Sequence, residues 1–320
     1  MTPPMAIPRP ELLAAARLLA APALGTSVVR ALERITGRPA ELSDDTPPDG
    51  PFLYVGGVLP DALRTGQLVW FHSVNAGMDA LLGSGLPWPR GVLLTRTVGR
   101  MGERIAQYVL GWALADCQSV PEHVAQHARA EWRRIPSELA AGRTAVVYGT
   151  GQIGSAVGGL LRACGIRTVG VARTPRAGLP GFDRVVVAGA DEEAEALAAA
   201  RWVVSTLPLT DGTEGFFADA RFSALRGAAF INIGRGATVD MAALKTALHS
   251  GAVRRAVLDV LPDEPAGPDD PAWRLPRTVI TSHSAGITAD EDVVTDFVAC
   301  WEAVREGRMP PLAVDVARGY

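Results

Sequence analysis

A short apolar run, Ala145-Val146-Val147-Tyr148, leads directly into Gly149-Thr150-Gly151-Gln152-Ile153-Gly154, and an apolar, alanine-bearing stretch follows from Ser155 to Cys164. The run reads as a buried strand and the following stretch as a helix. Strand, glycine turn and helix in immediate succession constrain this chain more than any other feature, because they open a βαβ unit. The spacing is G-x-G-x-x-G, and each glycine has its own task. The first permits the tight turn, the second lets the backbone approach a pyrophosphate, and the third lets the helix pack closely on the strand. The helix N-terminus then presents free N–H groups and the positive end of its dipole to phosphate. The stretch therefore points to dinucleotide binding through Gly149, Gly151, Gln152, Ile153 and Gly154. The alternative is an ordinary glycine-rich turn in a parallel sheet.

The chain beyond Thr144 favours the first reading. Strand-like runs recur at 146–148, 168–171, 184–187, 202–205, 230–233, 256–259 and 279–281, with helical stretches such as Asp191–Ala200 and Met241–Ser250 between them. This alternation predicts a doubly wound parallel α/β sheet. Ahead of it, Gly102–Cys117 reads as a helix with an apolar face of Ile105, Tyr108, Val109, Trp112 and Ala113, and Pro121–Arg133 as a more polar helix. Residues 52–55, 68–72 and 92–95 read as strands of a smaller α/β domain whose glycines, Gly56, Gly57 and Gly77, stand at strand ends. Glu11–Leu24 and Val28–Ile35 read as helices, which leaves the small domain without an evident opening strand. We expect a substrate domain at 1–100 and 289–320 and a dinucleotide-binding Rossmann domain at 101–288.

Bulk properties exclude several classes. The chain has 320 residues, 48% hydrophobic and 20% charged, which is enough to bury two domain cores. A net charge of −3 gives no reason to expect nucleic acid or an anionic membrane surface. Cys117, Cys164 and Cys300 are far apart and form no metal-ligand pattern, which suits a reducing cytoplasm and no metal. The apolar N-terminal stretch is interrupted by Glu11, Arg17 and prolines and lacks a basic leader, so we expect no export signal.

The choice of dinucleotide is read at the end of the second strand. An Asp or Glu there bonds the ribose 2′-OH of NAD. Here the strand runs into Ala172-Arg173-Thr174-Pro175-Arg176, with no acid to repel a 2′-phosphate and two guanidinium groups and a hydroxyl to hold one. This favours NADP(H), with NAD(H) as the other option if these arginines are only solvated loop charges.

Three polar residues follow late strands: Arg235 after 230–233, Glu264 after 256–259, and His283 after 279–281. Carboxyl ends of parallel strands are where side chains converge on one ligand. The set suits reduction of a 2-oxo acid. An imidazole can protonate the oxygen that becomes negative when hydride reaches the keto carbon. A neighbouring carboxylate, Glu264, favours the imidazolium. A planar guanidinium, Arg235, matches the substrate carboxylate.

From about Gly77 to Tyr320 the chain resembles the D-2-hydroxyacid dehydrogenase family. The resemblance rests on VVYGTGQIG, STLPLTDGTEG (Ser205–Gly215), INIGRGATVD (Ile231–Asp240), AVLDVLPDEP (Ala256–Pro265) and VITSHSAGIT (Val279–Thr288), in that order and spacing. Within the family it is most similar to the NADPH-dependent glyoxylate/hydroxypyruvate reductases, through the Ala172–Arg176 loop and the run to Trp273. The resemblance implies a smaller flavodoxin-like substrate domain beside the Rossmann domain. It implies that His283 is the acid/base, Glu264 its partner and Arg235 a substrate ligand. It further implies that Asp259 holds the nicotinamide carboxamide, that Leu207, Pro208 and Thr213 contact the cofactor, and that Gly56, Gly57, Asn75 and Gly77 meet the substrate carboxylate. It implies a homodimer formed through the helical segment before the fingerprint, with Trp132 reaching toward the partner.

Three departures stand out: Gln107 where the family usually has Glu, Ser282 where a proline commonly precedes the histidine, and the missing opening strand. The chain ends soon after a helix at Asp290–Gly307, so we expect no added regulatory domain, unlike the longer phosphoglycerate dehydrogenases. The expected activity is NADP(H)-dependent reduction of a small 2-oxo acid, glyoxylate or hydroxypyruvate first, to a D-2-hydroxy acid. A reductase of a bulkier 2-oxo acid and a dinucleotide-sensing protein related to the corepressor branch are the alternatives.

Overall fold

The computed structural model describes residues 6–83, 86–174 and 178–316. The chain divides into two compact units, Met1–Met101 with Thr288–Tyr320, and Gly102–Ile287.

The first unit carries α1 (Pro10–Ala15), β1 (Arg17–Ala20), α2 (Thr26–Thr36), β2 (Ala40–Leu42), β3 (Phe52–Gly56), β4 (Leu68–Ser73), α3 (Asp79–Leu82) and β5 (Leu93–Arg96). Its strands pair in parallel in the order β2-β1-β3-β4-β5, the flavodoxin-like arrangement. The helix expected over Glu11–Leu24 is corrected here. Only α1 is helical, and Arg17-Leu18-Leu19-Ala20 is a strand between β2 and β3. Leucine and alanine favour a helix by propensity, but a short apolar run has no period that separates helix from strand. Burial of Leu18, Leu19 and Ala20 between two strands decides it. The opening strand is therefore present, and it lies inside the sheet.

Every residue of β3 and β4 is buried, as expected when a parallel sheet is covered on both faces. Alternate side chains serve opposite cores. Trp70 stacks on Phe297 at 5.3 Å and on Trp301 at 6.0 Å, both from the C-terminal helix Asp290–Arg305. Phe71, on the other face, stacks on Tyr54 at 5.6 Å.

His72 of β4 is wholly buried, with Nδ1 2.7 Å from Thr95 Oγ1 and Nε2 3.2 Å from Thr97 Oγ1. Burial pushes its pKa down from 6.5 to about 3. The unfolded chain therefore binds the extra proton first as pH falls. The stability that this neutral imidazole contributes is complete above pH 6.5 and is lost toward pH 3, at up to about 1.4 kcal/mol per pH unit. We expect the urea midpoint to fall between pH 7 and pH 5. A flat midpoint across that interval would contradict a neutral, buried His72.

The second unit begins with α4 (Met101–Cys117) and α5 (Val120–Ala128). It continues through β6 (Thr144–Tyr148), α6 (Gln152–Ala163), β7 (Arg167–Ala172), β8 (Arg184–Val187), α7 (Asp191–Ala199), β9 (Trp202–Ser205) and α8 (Asp219–Ser223). It ends with β10 (Ala228–Asn232), α9 (Met241–Ser250), β11 (Val253–Leu258) and β12 (Thr278–Ile280). All strands are parallel, in the order β12-β11-β10-β9-β6-β7-β8. This is the doubly wound sheet expected from the sequence, and its order reverses between β6 and β9. That switch point is where such sheets bind ligands. The core holds Tyr148, Phe217, Phe222 and Phe230 edge to face, with Phe217 4.8 Å from Tyr148 and 4.9 Å from Phe230.

The helix expected to Arg133 stops at Ala128. The Gln126 carbonyl accepts from both Arg129 and Glu131 N–H groups, and Ala130 turns to φ 53°, which closes the helix. Among the described residues no helix is long and apolar enough to cross a membrane.

Candidate active site

The fingerprint turn lies at the carboxyl end of β6, beside the switch point. Gly149 has φ +92°, a left-handed conformation that glycine adopts without a Cβ clash. A Cβ on Gly154 would sit 1.8 Å from the Gly149 carbonyl oxygen, so α6 rests directly on the turn. A Cβ on Gly151 would meet nothing within 4 Å, so the backbone there faces open space. Gly151 is the N-cap of α6 and supplies no side-chain cap, which leaves the first-turn N–H groups available to an anion. Thr206, just past β9, ties the turn down by donating to the Tyr148 carbonyl at 2.9 Å. Helix start, open second glycine and tight third glycine together fit a pyrophosphate.

At the end of β7, Ala172 is buried and Arg173 and Thr174 are exposed; Arg176 lies outside the described residues. In the loop after β9, Leu207 is half-buried and Pro208 is exposed. Thr213 Oγ1 donates to the Pro208 carbonyl at 2.6 Å and accepts from Thr210 N–H at 2.8 Å, which closes this loop on itself.

The loops after β10, β11 and β12 are bound to one another. Asn232, buried at the end of β10, donates from Nδ2 to the Arg235 carbonyl at 3.1 Å and accepts from Gly234 N–H at 3.2 Å. Arg235 is half-buried, and one of its guanidinium nitrogens donates to the Gly234 carbonyl at 2.8 Å. A Cβ on Gly236 would lie 1.9 Å from the Leu261 carbonyl carbon, so the Arg235 turn packs straight onto the turn that bears Glu264. Glu264 Oε1 accepts from Leu261 N–H at 2.8 Å, and its Oε2 is 2.7 Å from His283 Nδ1. The His283 side chain is 52% exposed and that of Glu264 35%, so the pair is open to a ligand. With Nδ1 engaged, Nε2 has no protein partner among the described residues.

His283 has φ 56° and Ser282 φ 52°, both left-handed for residues with a Cβ. Such a conformation costs on the order of 1–2 kcal/mol per residue. Proline, locked near φ −65°, cannot occupy position 282 in this loop. The departure at Ser282 is thus a requirement of the loop as built. Asp259 anchors it. The side chain is 3% exposed, Oδ1 accepts from Thr281 Oγ1 at 2.6 Å and Ser284 N–H at 2.8 Å, and the Asp259 carbonyl accepts from His283 N–H at 2.6 Å.

In the first unit, Gly56 ends β3 and Asn75 follows the neighbouring β4. Asn75 Nδ2 donates to the Gly57 carbonyl at 2.9 Å, which joins the two strand-end loops that carry Gly56, Gly57, Asn75 and Gly77. Asn75 and Gly77 are exposed.

The model of the D-isomer specific 2-hydroxyacid dehydrogenase NAD binding domain matches residues 110–285. The chain belongs to this family. It is 58% identical over 274 residues to an uncharacterized protein in the mprR 3′ region of Streptomyces coelicolor, covering 85% of this chain and 97% of that one. It is 31% identical over 263 residues to glyoxylate/hydroxypyruvate reductase A of Serratia proteamaculans, covering 80% of this chain and 82% of that one. Among solved structures it is similar to a D-isomer specific 2-hydroxyacid dehydrogenase from Xanthobacter autotrophicus Py2 in complex with NADPH and MES. There the TM-score is 0.84 and the identity 28%, over 96% of this chain and 100% of that one. The chain is thus an NAD(P)-binding 2-hydroxyacid dehydrogenase by family, with the two parallel sheets of that fold.

Sequence reasoning passed over Asn232, Thr281 and Tyr108. Asn232 carried a usable signal, a lone amide at the end of an apolar strand. Thr281 and Tyr108 carried none, since their partners lie 22 and 173 residues away in the chain.

Proposed function

We propose that this dehydrogenase reduces a small 2-oxo acid of the glyoxylate or hydroxypyruvate type to the D-2-hydroxy acid, with NADPH as the preferred cofactor. The observation that carries the reading is the His283–Glu264 pair, 2.7 Å apart, with Nε2 of the histidine open. A carboxylate accepting from Nδ1–H fixes the ring orientation, and the transferable proton is the Nε2–H of the imidazolium, whose loss leaves the neutral ring with its proton on Nδ1. When bound, the nicotinamide supplies the hydride that reaches the keto carbon. His283 Nε2 gives its proton to the keto oxygen, and Glu264 supports the ring as that proton leaves and returns. Arg235 pairs with the substrate carboxylate, and in the first unit Gly56, Gly57, Asn75 and Gly77 are the further candidate substrate ligands.

On the cofactor side, Gly149, Gly151, Gln152, Ile153 and Gly154 cradle the pyrophosphate, and Leu207, Pro208 and Thr213 line the dinucleotide. Asp259 serves the carboxamide through Oδ2, which accepts only from Ala285 N–H, at 3.1 Å, among the described residues. Arg173, Thr174 and Arg176 meet the 2′-phosphate. NADPH in the Xanthobacter relative supports that choice. A homodimer formed through α4, α5 and the segment after them is part of the same reading. Leu114, Val124, Trp132 and Leu139 leave apolar surface exposed there, Trp132 at 99%; sedimentation equilibrium decides it.

The experiment is oxidation of NADPH and NADH with glyoxylate, hydroxypyruvate and an aryl 2-oxo acid. Turnover with NADPH and a small acid is expected. Turnover with the aryl acid alone would move the substrate, and cofactor binding without any turnover would favour a sensor. Replacing Arg173 and Arg176 together by alanine should weaken NADPH binding at least about tenfold and NADH binding little, since charged hydrogen bonds contribute about 1.5–3 kcal/mol each. Equal losses for the two cofactors would remove the 2′-phosphate assignment.

A further inference from the structure

Resting on the reading of His283 as the acid/base, we infer that Tyr108 and Thr281 are positioning residues for that histidine, acting through Asp259. Tyr108 projects from α4, and its hydroxyl is 2.7 Å from Thr281 Oγ1. Thr281 Oγ1 in turn donates to Asp259 Oδ1 at 2.6 Å. A hydroxyl has one proton, so Thr281 spends it on Asp259 and Tyr108 is the donor to Thr281. Burial raises the Tyr108 pKa to about 12, which keeps that donor in place at working pH.

Asp259 passes the constraint to the loop. Its Oδ1 also accepts from Ser284 and Ala285 N–H at 2.8 and 3.1 Å, and its carbonyl from His283 N–H at 2.6 Å. These bonds flank Ser282 and His283, the two residues held at positive φ. Proline, with φ fixed near −65°, cannot stiffen the positive-φ backbone at position 282. With serine there, a hydrogen-bond chain anchored on α4 holds the approach to the histidine. Tyr108 is itself steadied, with Trp112 edge-on at 6.3 Å. Hydrogen bonds in such a chain support one another, so cutting any link loosens the whole.

The test uses the full chain with NADPH and the best 2-oxo acid. Thr281→Val should lower kcat roughly tenfold and Tyr108→Phe several-fold, with KM for the 2-oxo acid and Kd for NADPH within about twofold of the parent. Thr281→Ser, which keeps the hydroxyl, should restore kcat. The double variant should be no slower than Thr281→Val alone, because both substitutions cut one chain. Multiplying losses, or a Thr281→Ser as slow as Thr281→Val, would overturn the assignment. If the parent turns over no 2-oxo acid, the catalytic reading fails on its own, and amide hydrogen exchange still decides the relay. Faster exchange at His283, Ser284 and Ala285 in Thr281→Val and Tyr108→Phe supports it, and unchanged exchange refutes it.

Discussion

Replacing His283 with alanine should cut turnover by about two to four orders of magnitude while NADPH binding is kept, the range that a positioned general acid contributes. The two readouts separate because His283 sits on the loop after β12, whereas the fingerprint is formed by β6 and α6. Removing the imidazole leaves Glu264 its bond from Leu261 N–H at 2.8 Å, so the turn that bears the carboxylate is retained. Glu264→Gln keeps a hydrogen-bonding group opposite Nδ1 but not the charge, and its loss should be smaller than that of His283→Ala. Steady-state NADPH oxidation together with fluorescence titration of the cofactor measures both. Turnover near the parent level in His283→Ala would falsify the acid role. A parallel loss of cofactor binding would mean that the loop, and not the imidazole, had been removed.

Gly154→Ala should cost both stability and cofactor affinity. Its Cβ would be placed 1.8 Å from the Gly149 carbonyl oxygen and 2.9 Å from the carbonyl carbon, both backbone atoms. No rotamer relieves that contact, so α6 must move off the turn. Overpacking of this kind costs about 1–3 kcal/mol, and displacement of the helix N-terminus should weaken dinucleotide binding by about five- to a hundredfold at 1.4 kcal/mol per factor of ten. Gly151→Ala is the contrasting variant. Its Cβ meets nothing within 4 Å in the protein, so folding should be unaffected, but the methyl group would occupy the approach used by a pyrophosphate. Urea unfolding and cofactor titration should therefore show both quantities falling in Gly154→Ala and only affinity falling in Gly151→Ala. A Gly151→Ala that binds both cofactors normally would place the pyrophosphate elsewhere.

The two sheets were unequally legible. In the second unit each strand is a compact apolar run ended by a polar or glycine signal, and the expected strands correspond to β6 through β12. In the first unit, Arg17–Ala20 shares its Leu-Ala composition with the helix beside it, and only pairing with Ala40–Leu42 and Phe52–Val55 makes it a strand. The end of α5 was also hidden. The expected helix ran to Arg133, but the carbonyl of Gln126 takes two later N–H groups and closes it at Ala128.

Local order along the chain determined the fingerprint, the alternation of strand and helix, and the succession of Arg235, Glu264 and His283 at strand ends, because each is a short-range pattern of residue types. Family membership followed from the same motifs, now matched over residues 110–285. Tertiary structure alone decided how the loops are held. Asp259 pins a left-handed Ser282–His283 turn, Gly236 seats the Arg235 turn against Leu261, and Tyr108 reaches Thr281 from another element. These contacts join residues distant in the chain, and no periodicity or spacing encodes them. They exist because parallel strands bring their carboxyl ends side by side, where buried polar groups must find partners.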